Sequence, residues 1–507
     1  MDLRWLKGLG LCTLLFSPIQ AQQTKTITLQ EALKTAVERN LDIELQRVNI
    51  EDQRFSLDLT RARYEPQVTG SLSSSNQEGE AQDADQGQAG STYSDKTRAF
   101  NTTFQKSEDF GLEYSVRFNN SLFDSSQASR QLFGEIYSSS INFSATQQLL
   151  RGFNFDEEVY RRDQFVAKGN YHAALEDLNV QMVTVLKNTE DAYWDLVFAV
   201  EDLKVAQQSL DLAKQLYEQN RVKIEVGTLA PIELVNNEAD IASRENDIVT
   251  KENAIRAAED RLKRVMNLPL DDWRQHLTPA DPIVIEAQTP DLTTAFQTAL
   301  ENRPEAKKNA IELENARLDL KYQKNQKLPG LSVTAGYGTS ASSANDIDLQ
   351  TGEVLGTGSW SDALSDAASF DLPGWQIQLD LTWAPFNQQA KLNHKKAELT
   401  MRRRQLEIEQ NNLTIFEEVR AAIRELESSA KAIKAQEKTL KFREENLKAE
   451  EQKFQNGLST NYRVSEVQEQ LAQARTQLIS SKVAYKKALT RYHQAVGKLS
   501  QHHNISL

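Results

Sequence analysis

Trp375-Gln376-Ile377-Gln378-Leu379-Asp380-Leu381-Thr382-Trp383 alternates without a break: Trp375, Ile377, Leu379, Leu381 and Trp383 share one face, and Gln376, Gln378, Asp380 and Thr382 share the other. A period of two is that of a β-strand. Nine residues at about 3.3 Å each span about 30 Å, and a tryptophan closes each end where the aromatic girdles of membrane barrels sit. A sheet half-buried on a soluble core would alternate in the same way. The chain has few other apolar segments from which to build such a core, so the strand reads as lipid-facing.

Related segments lie elsewhere. Ser138 to Leu149 sets Ile141, Phe143 and Ala145 opposite Asn142, Ser144 and Thr146, while Val68 to Ser75 and Leu331 to Thr339 each follow a proline, Pro66 and Pro329. Four such strands cannot close a barrel. A sheet with free edges in lipid leaves backbone N–H and C=O groups unsatisfied at several kcal/mol apiece, so copies of the chain must associate. Arg98 to Gln105 and Phe110 to Asn119 also alternate. Two placements are open for them: a further hairpin in the wall, or a sheet above the membrane. Gln77 to Asp95 and Ser340 to Asp371 are polar and turn-rich, as external loops are.

The chain is a tandem duplication. Leu29 to Gly70 aligns without a gap with Leu292 to Val333, sharing Ala32/Ala295, Ala36/Ala299, Glu51/Glu314, Arg54/Arg317 and Pro66/Pro329. Leu186 to Asn267 aligns with Phe416 to Gly497, sharing Leu196/Leu426, Lys223/Lys453, Gly227/Gly457 and Arg261/Arg491. The step between copies shortens from one block to the next, which places extra residues in the first half between Gly70 and Leu186. The expected organisation is an export segment at 1–21, a first repeat at 22–267 with extra strands near 98–120, a joining region at 268–291, a second repeat at 292–497 and a tail at 498–507.

Across 507 residues, 26% are charged and the net charge is −13. That balance argues against a nucleic-acid surface, which needs clustered Lys and Arg to neutralise phosphates. Arg4 and Lys7 precede an apolar run from Gly8 to Phe16 and then Ser17-Pro18-Ile19-Gln20-Ala21, the pattern of a secretory signal cleaved near Ala21. The single cysteine, Cys12, lies within it, so the exported chain would carry no thiol or disulfide. Leu11 stands before Cys12 where lipid attachment calls for a small residue. Beyond the signal no run of about 20 apolar residues could form a membrane-spanning helix.

The rest reads as long helices. From about Asn154 to Glu225 no proline interrupts a seven-residue row of Leu175, Met182, Thr189, Leu196, Leu203, Leu210, Tyr217 and Ile224, beside a smaller row of Leu178, Val185, Ala192, Ala199, Ala206 and Ala213 that lets a partner helix approach closely. Val226-Gly227-Thr228-Leu229-Ala230-Pro231 turns the chain, and Ile232 to Met266 returns. In the return helix Leu234, Ile241, Ile248, Ile255 and Leu262 form one seam and Val235, Ala242 and Val249 a second, with Glu238, Glu245, Glu252 and Glu259 between them. A helix in the wall of a hollow cylinder needs a seam for each neighbour and a wet strip facing the lumen. An ordinary solvated face, or pairing with lysines, would use the same glutamates. The second copy puts Gln468, Arg475 and Lys482 in the strip, so a uniformly acidic lumen is not expected.

No Gly-rich phosphate loop, zinc-protease helix or nucleophile elbow is present, and an enzyme is not expected. Four Met, six His and one Cys provide no soft-ligand path for metal. His502-His503 reads as part of a disordered tail, and no cofactor is called for.

Two exported copies of helix, proline, strand, loop, strand, long helix, glycine turn and return helix resemble the TolC-type outer-membrane efflux family over essentially the whole mature chain. The residues that carry the resemblance are Leu29, Ala32, Ala36 and Asn40, Pro66 and Pro329, Gln147-Gln148-Leu149-Leu150-Arg151-Gly152, Gly227 and Gly457, and Asn267 and Gly497. The resemblance implies a mainly α fold with transmembrane β: long helical hairpins and β-hairpins assembling as a homotrimer into a twelve-stranded barrel in the outer membrane of a Gram-negative-type cell, continued by a helical periplasmic tunnel. The duct would serve a tripartite efflux pump or type I secretion system with a periplasmic adaptor and an inner-membrane transporter. The adaptor would grip Gly227, Thr228, Leu229, Ala230 and Pro231, and Gly457, Leu458, Ser459, Thr460 and Asn461. The joining region would wrap the tunnel as a belt. The positions of the family's acidic ring are Arg463 and Glu466 here, with first-copy counterparts Glu233 and Asn236, so an ion pair of Arg463 with Glu466 or Glu233 would hold the mouth closed. A periplasmic adaptor-like or structural coiled-coil protein without a pore would share the hairpins but not the Trp375/Trp383 strand.

Overall fold

The computed structural model describes residues 24–505, apart from 85, 128, 129, 131, 132, 287, 349 and 352. The expected export segment at 1–21, with Cys12, lies outside the described residues. The chain divides into two compact units: residues up to Gln46, Leu178–Pro304 and Leu413 onward form one, and Arg47–Asp177 with Glu305–Asn412 form the other.

The second unit is built on a six-stranded antiparallel sheet. β2 (Gln67–Glu80), β3 (Thr92–Ser107), β4 (Leu112–Ser125), β5 (Ile136–Gln148), β7 (Gly330–Ser343) and β10 (Gly374–Thr382) pair in the order β10-β7-β5-β4-β3-β2. All four expected barrel strands are present, and the two segments of open placement are β3 and β4, inserted between β2 and β5. The chain therefore contributes six strands to the sheet where four were counted. Alternation alone reports a strand's faces and is silent about its neighbours, which is why the sequence left this open. The apolar parities fall in register from edge to edge: Val68 opposite Phe104, Phe104 opposite Val116, Val116 opposite Phe143, Phe143 opposite Tyr337 and Tyr337 opposite Trp375.

Two expected loops are more ordered than their composition suggests. Both ends of Gln77 to Asp95 extend β2 and β3, leaving 81–91 as the connection. Ser340 to Asp371 contains the end of β7, the β8–β9 pair (Asp346–Ile347 with Val354–Gly356) and a helix, α8 (Trp360–Ser369), whose N-cap Ser359 accepts from the Asp362 N–H at 3.3 Å. Ala363 and Ala367 are fully buried where α8 lies on β5 and β7, and Trp360 meets Tyr137 edge-on with ring centroids 5.5 Å apart.

At the other end of the sheet, where β5 gives way to α3 (Glu157–Tyr160) and α4 (Arg162–Glu225), Asn325 at the end of α7 (Pro304–Asn325) holds the turn. Its side-chain oxygen accepts from the Gly152 N–H at 2.7 Å and its amide donates to the Leu150 carbonyl at 3.1 Å, while Arg151 donates to the Leu328 carbonyl at 3.0 Å. Arg317, two turns earlier on α7, and Lys321 converge on Glu158 at 2.7 and 2.6 Å, and these cations hold the Glu158 carboxyl down at about 2.

In the first unit α1 (Leu29–Arg39), which precedes α2 (Leu41–Ala62), opens on a capping box: Thr28 accepts from the Glu31 N–H and Glu31 accepts from the Thr28 N–H. The second repeat starts α6 (Leu292–Asn302) on Asp291, which caps Thr294 at 2.9 Å. The far part of α4 packs with α5 (Ile232–Val265), the far part of α9 (Gln388–Gln455) and α10 (Asn461–Ala495), through Leu216, Phe454 and Val464 and through the Asn220–Asn237 hydrogen bond. The small row of α4 is buried as its spacing implied, with Val185, Ala192, Ala199, Ala206 and Ala213 all inside. The joining region pairs β6 (His276–Pro279) in parallel with β1 (Thr24–Ile27), and is pinned to the helices by Tyr193 donating to Asp281 at 2.5 Å and Tyr485 donating to the Glu286 carbonyl at 2.6 Å.

The tail corrects an expectation. His502 ends a short helix, α11 (Leu499–His502), and stacks on His493 with centroids 4.1 Å apart, while His503 is buried with Nε2 2.9 Å from Glu190. A composition-based reading of a polar tail cannot see a buried carboxylate more than three hundred residues upstream.

Candidate functional site

The sheet carries the first candidate site. On β10 Trp375, Ile377, Leu379 and Leu381 stand between 65% and 76% exposed, and Trp383, just past the strand, is 68% exposed. Large apolar side chains this bare, in one file, require an apolar surrounding. The opposite face is polar and knitted across strands: Ser115 and Ser144 hydroxyls lie 2.9 Å apart, Thr146 and Thr334 3.1 Å, and Gln105 donates to Glu113 at 2.6 Å. One face thus suits lipid and the other suits water. Among the described residues no helix is long and apolar enough to cross a membrane.

The helix ends carry the second candidate site. Gly227 and Gly457 adopt φ of +80° and +72°, and the following N–H groups of Thr228 and Leu458 reach back to the carbonyls of Lys223 and Lys453 at 2.9 and 2.8 Å. This is the left-handed helix stop that glycine permits without strain. Thr460 caps α10 by accepting from the Arg463 N–H at 3.3 Å, and Pro231 stands directly before α5. Around the turns Val226, Ile232, Leu458 and Tyr462 are exposed, as are Thr228, Ala230 and Gly457, whereas Leu229 and Ser459 are half-buried.

Arg463 lies 2.6 Å from Glu466, one turn along the same helix. Glu233 instead accepts from the Asn461 amide at 3.0 Å, and Asn236 is exposed. Of the four glutamates assigned to a lumen strip, Glu238 accepts from Tyr217 at 3.3 Å, Glu245 lies 3.4 Å from Lys214 and Glu252 is exposed. Glu259 does not face a lumen. It is 4% exposed, 3.5 Å from Lys263 and 3.2 Å from His276, because the joining region folds over that end of α5 and buries it.

Sequence reading passed over a buried asparagine cluster. The Asn220 amide donates to Asn237 at 2.9 Å and to Asn461 at 2.7 Å, joining α4, α5 and α10 just above the turns. Two of the three are signalled by polar side chains interrupting apolar helix faces. Nearby, Lys223 lies 3.6 Å above the Phe454 ring and donates to the Phe454 carbonyl at 3.1 Å, with burial lowering its pKa.

The family model for outer membrane efflux proteins matches residues 32–268 and 295–498, one match for each repeat. The chain belongs to the outer membrane efflux protein family. Solved structures of similar fold include the Campylobacter jejuni CmeC outer membrane channel, 17% identical with a TM-score of 0.62 over 93% of this chain and 86% of that one. CusC, described for its folding and transmembrane channel formation, is 17% identical with a TM-score of 0.64, covering 95% of this chain and 96% of that one. The open-state Neisseria gonorrhoeae MtrE outer membrane channel is 16% identical with a TM-score of 0.61, covering 93% and 89%. No curated protein matches the sequence. This outer membrane efflux protein accordingly acts as an outer-membrane exit channel, and its family is one of transport rather than catalysis.

Proposed function

We propose that three copies of the chain close their sheets into one barrel and conduct substrate passively to the exterior, with the helix ends near Gly227–Pro231 and Gly457–Asn461 held by a periplasmic adaptor that links the channel to an inner-membrane transporter. The observation that carries the assembly is the sheet's pair of open edges. β2 and β10 each have a single neighbour, and an open edge in lipid is prohibitive. They run in opposite senses, so β10 of one copy meets β2 of the next antiparallel, as every other pair in the sheet does.

The helices support the same reading. Val235 and Val249, on the second seam of α5, are 56% and 62% exposed, a seam awaiting a neighbour. On α9 a seven-residue file of Leu392, Leu399, Leu406 and Leu413 is likewise exposed. At the turns, exposed Val226, Ile232, Leu458 and Tyr462 offer the adaptor an apolar grip. The Arg463–Glu466 pair is assigned to the periplasmic mouth.

Fractionation with an unboiled gel tests this. The expected result is outer-membrane material running as a detergent-resistant oligomer. Recovery in buffer without detergent would favour a soluble adaptor-like coiled-coil protein instead.

A further inference from the structure

We propose that the inserted hairpin β3–β4 is part of the membrane wall, so that each copy supplies six strands and a three-copy channel is an eighteen-stranded barrel. The count of three rests on the proposed function above; the placement of the hairpin rests on the sheet alone.

Register carries the argument first. Phe100, Thr102 and Phe104 on β3 and Val116 and Phe118 on β4 lie on the parity that continues, rung by rung, to Ile141, Phe143, Tyr337 and Trp375. Their neighbours Asn101, Thr103, Gln105, Ser115, Arg117 and Asn119 lie on the polar face with Ser144, Thr334 and Gln378. A sheet standing in water above the membrane has no reason to keep a largely apolar file, half-exposed at Phe104, Val116 and Phe118 and 48% exposed at Phe100, on the parity of the lipid-facing file of β10. On the apolar parity Arg98 and Lys106 bracket the file of β3, placed for their long side chains to reach the two interfaces.

Height is the second argument. β3 and β4 are 16 and 14 residues long, as long as β2 and β5, and are paired along their length. Their connection, Glu108 to Gly111, is short, with the Gly111 N–H on the Glu108 carbonyl at 3.0 Å, and lies at the helical end of the sheet. There Asp109 is 2.7 Å from Arg161, between α3 and α4. The longer connections, 81–91, 126–135 and 344–373, all fall at the opposite end. Short periplasmic turns and long external loops are the arrangement of outer-membrane barrels. The hairpin is thus anchored at the base of the wall.

The closed ring has an even number of strands, every pair antiparallel. Barrel diameter grows roughly in proportion to strand number, so the bore is about 1.5 times that of a twelve-stranded wall. The membrane part of this channel accommodates bulkier cargo than a twelve-stranded one could.

Single cysteines test the placement in a Cys12→Ser background, with the full chain reconstituted in phospholipid vesicles. Phe104→Cys and Phe118→Cys sample the apolar face, Thr103→Cys and Asn119→Cys the polar face, and Ile377→Cys and Gln378→Cys calibrate β10. With a charged, water-soluble maleimide the apolar-face sites should react at least about tenfold more slowly, since the reactive thiolate does not form in lipid. Subunit number is read from native mass on the same samples. Equal labelling of both faces of β3 and β4, with β10 still alternating, would place the hairpin in water and overturn the proposal while leaving a three-copy channel intact. Alternation with a copy number other than three would overturn the eighteen-strand count together with the three-copy reading.

Discussion

Asn461 accepts a 2.7 Å hydrogen bond from Asn220 with both side chains buried, so the first turn of the second repeat's return helix is fastened to the long helix of the first repeat. Asn237 completes the cluster at 2.9 Å from Asn220. Polar groups buried in this way fix helix register, because any slip leaves them unpaired.

Asn220→Ala should therefore cost about 1–3 kcal/mol, the loss of two buried hydrogen bonds at roughly 0.5–1.5 kcal/mol each, while Asn237 and Asn461 keep their bonds to each other. The loss should be local. Hydrogen exchange is expected to quicken first around Val226–Pro231 and Gln455–Asn461, ahead of any change in the sheet, and unchanged exchange at those turns would remove the cluster from that role.

Arg463 and Glu466 are 49% and 35% exposed, so their ion pair contributes little to stability, under about 1 kcal/mol. Its effect should appear in conduction. Arg463→Ala removes one positive charge per copy and is expected to shift reversal potentials toward cations, whereas Glu466→Ala should shift them the other way. Both shifts should shrink in high salt as screening shortens to a few ångströms. Wild-type conductance and selectivity in both variants would exclude the pair from the mouth.

His493 is held down to about 4, chiefly by burial and then by the neighbouring His502. The sign follows from a base whose folded pKa is depressed. Stability is complete above the ordinary histidine value of about 6.5 and is lost as pH falls toward 4, while the unfolded chain takes up a proton that the folded chain refuses. Melting temperatures at pH 7.5, 6 and 5 should decline in the native chain, and His493→Leu should flatten that decline. Glu158 acts lower on the scale: its contribution is complete above about 4.5 and is lost as pH falls toward 2, so Glu158→Gln should lower stability at neutral pH and flatten the decline at the acid end.

Gly497 and Gly457 share a left-handed φ of +72° but differ in surroundings. A Cβ on Gly457 meets open space, while one on Gly497 lies 2.9 Å from the Arg303 backbone nitrogen and 3.0 Å from the Asn302 carbonyl carbon. Gly457→Ala should cost about 1–2 kcal/mol from backbone strain alone. Gly497→Ala should cost clearly more, seen as a larger fall in melting temperature.

Features that repeat along the chain were legible. The alternation of Trp375 to Trp383, the seven-residue rows of the long helices and the glycine stops are local patterns, and each recurs as read, to within a few residues at its ends. What escaped was set by distant partners. Glu259 was placed in a lumen strip because helical period alone cannot show that Lys263 and His276 enclose it. The fold of His502 and His503 depends on Glu190, and the neighbours of β3 and β4 depend on pairing. One local signal was present and unread: Ser359 ahead of Trp360, Ala363, Leu364 and Ala367 is a capped amphipathic helix inside a stretch whose glycines and aspartates suggested only loop.

The edges β2 and β10 offer the most direct measurement. Cysteines placed on the polar face, pairing Thr69, Ser71 or Ser73 with Gln376, Gln378 or Asp380 in a Cys12→Ser background, should form disulfides between subunits on oxidation in membranes, giving a ladder of one, two and three chains that stops there. A chain that never cross-links at any of these pairs and is recovered as a water-soluble monomer would contradict the shared barrel.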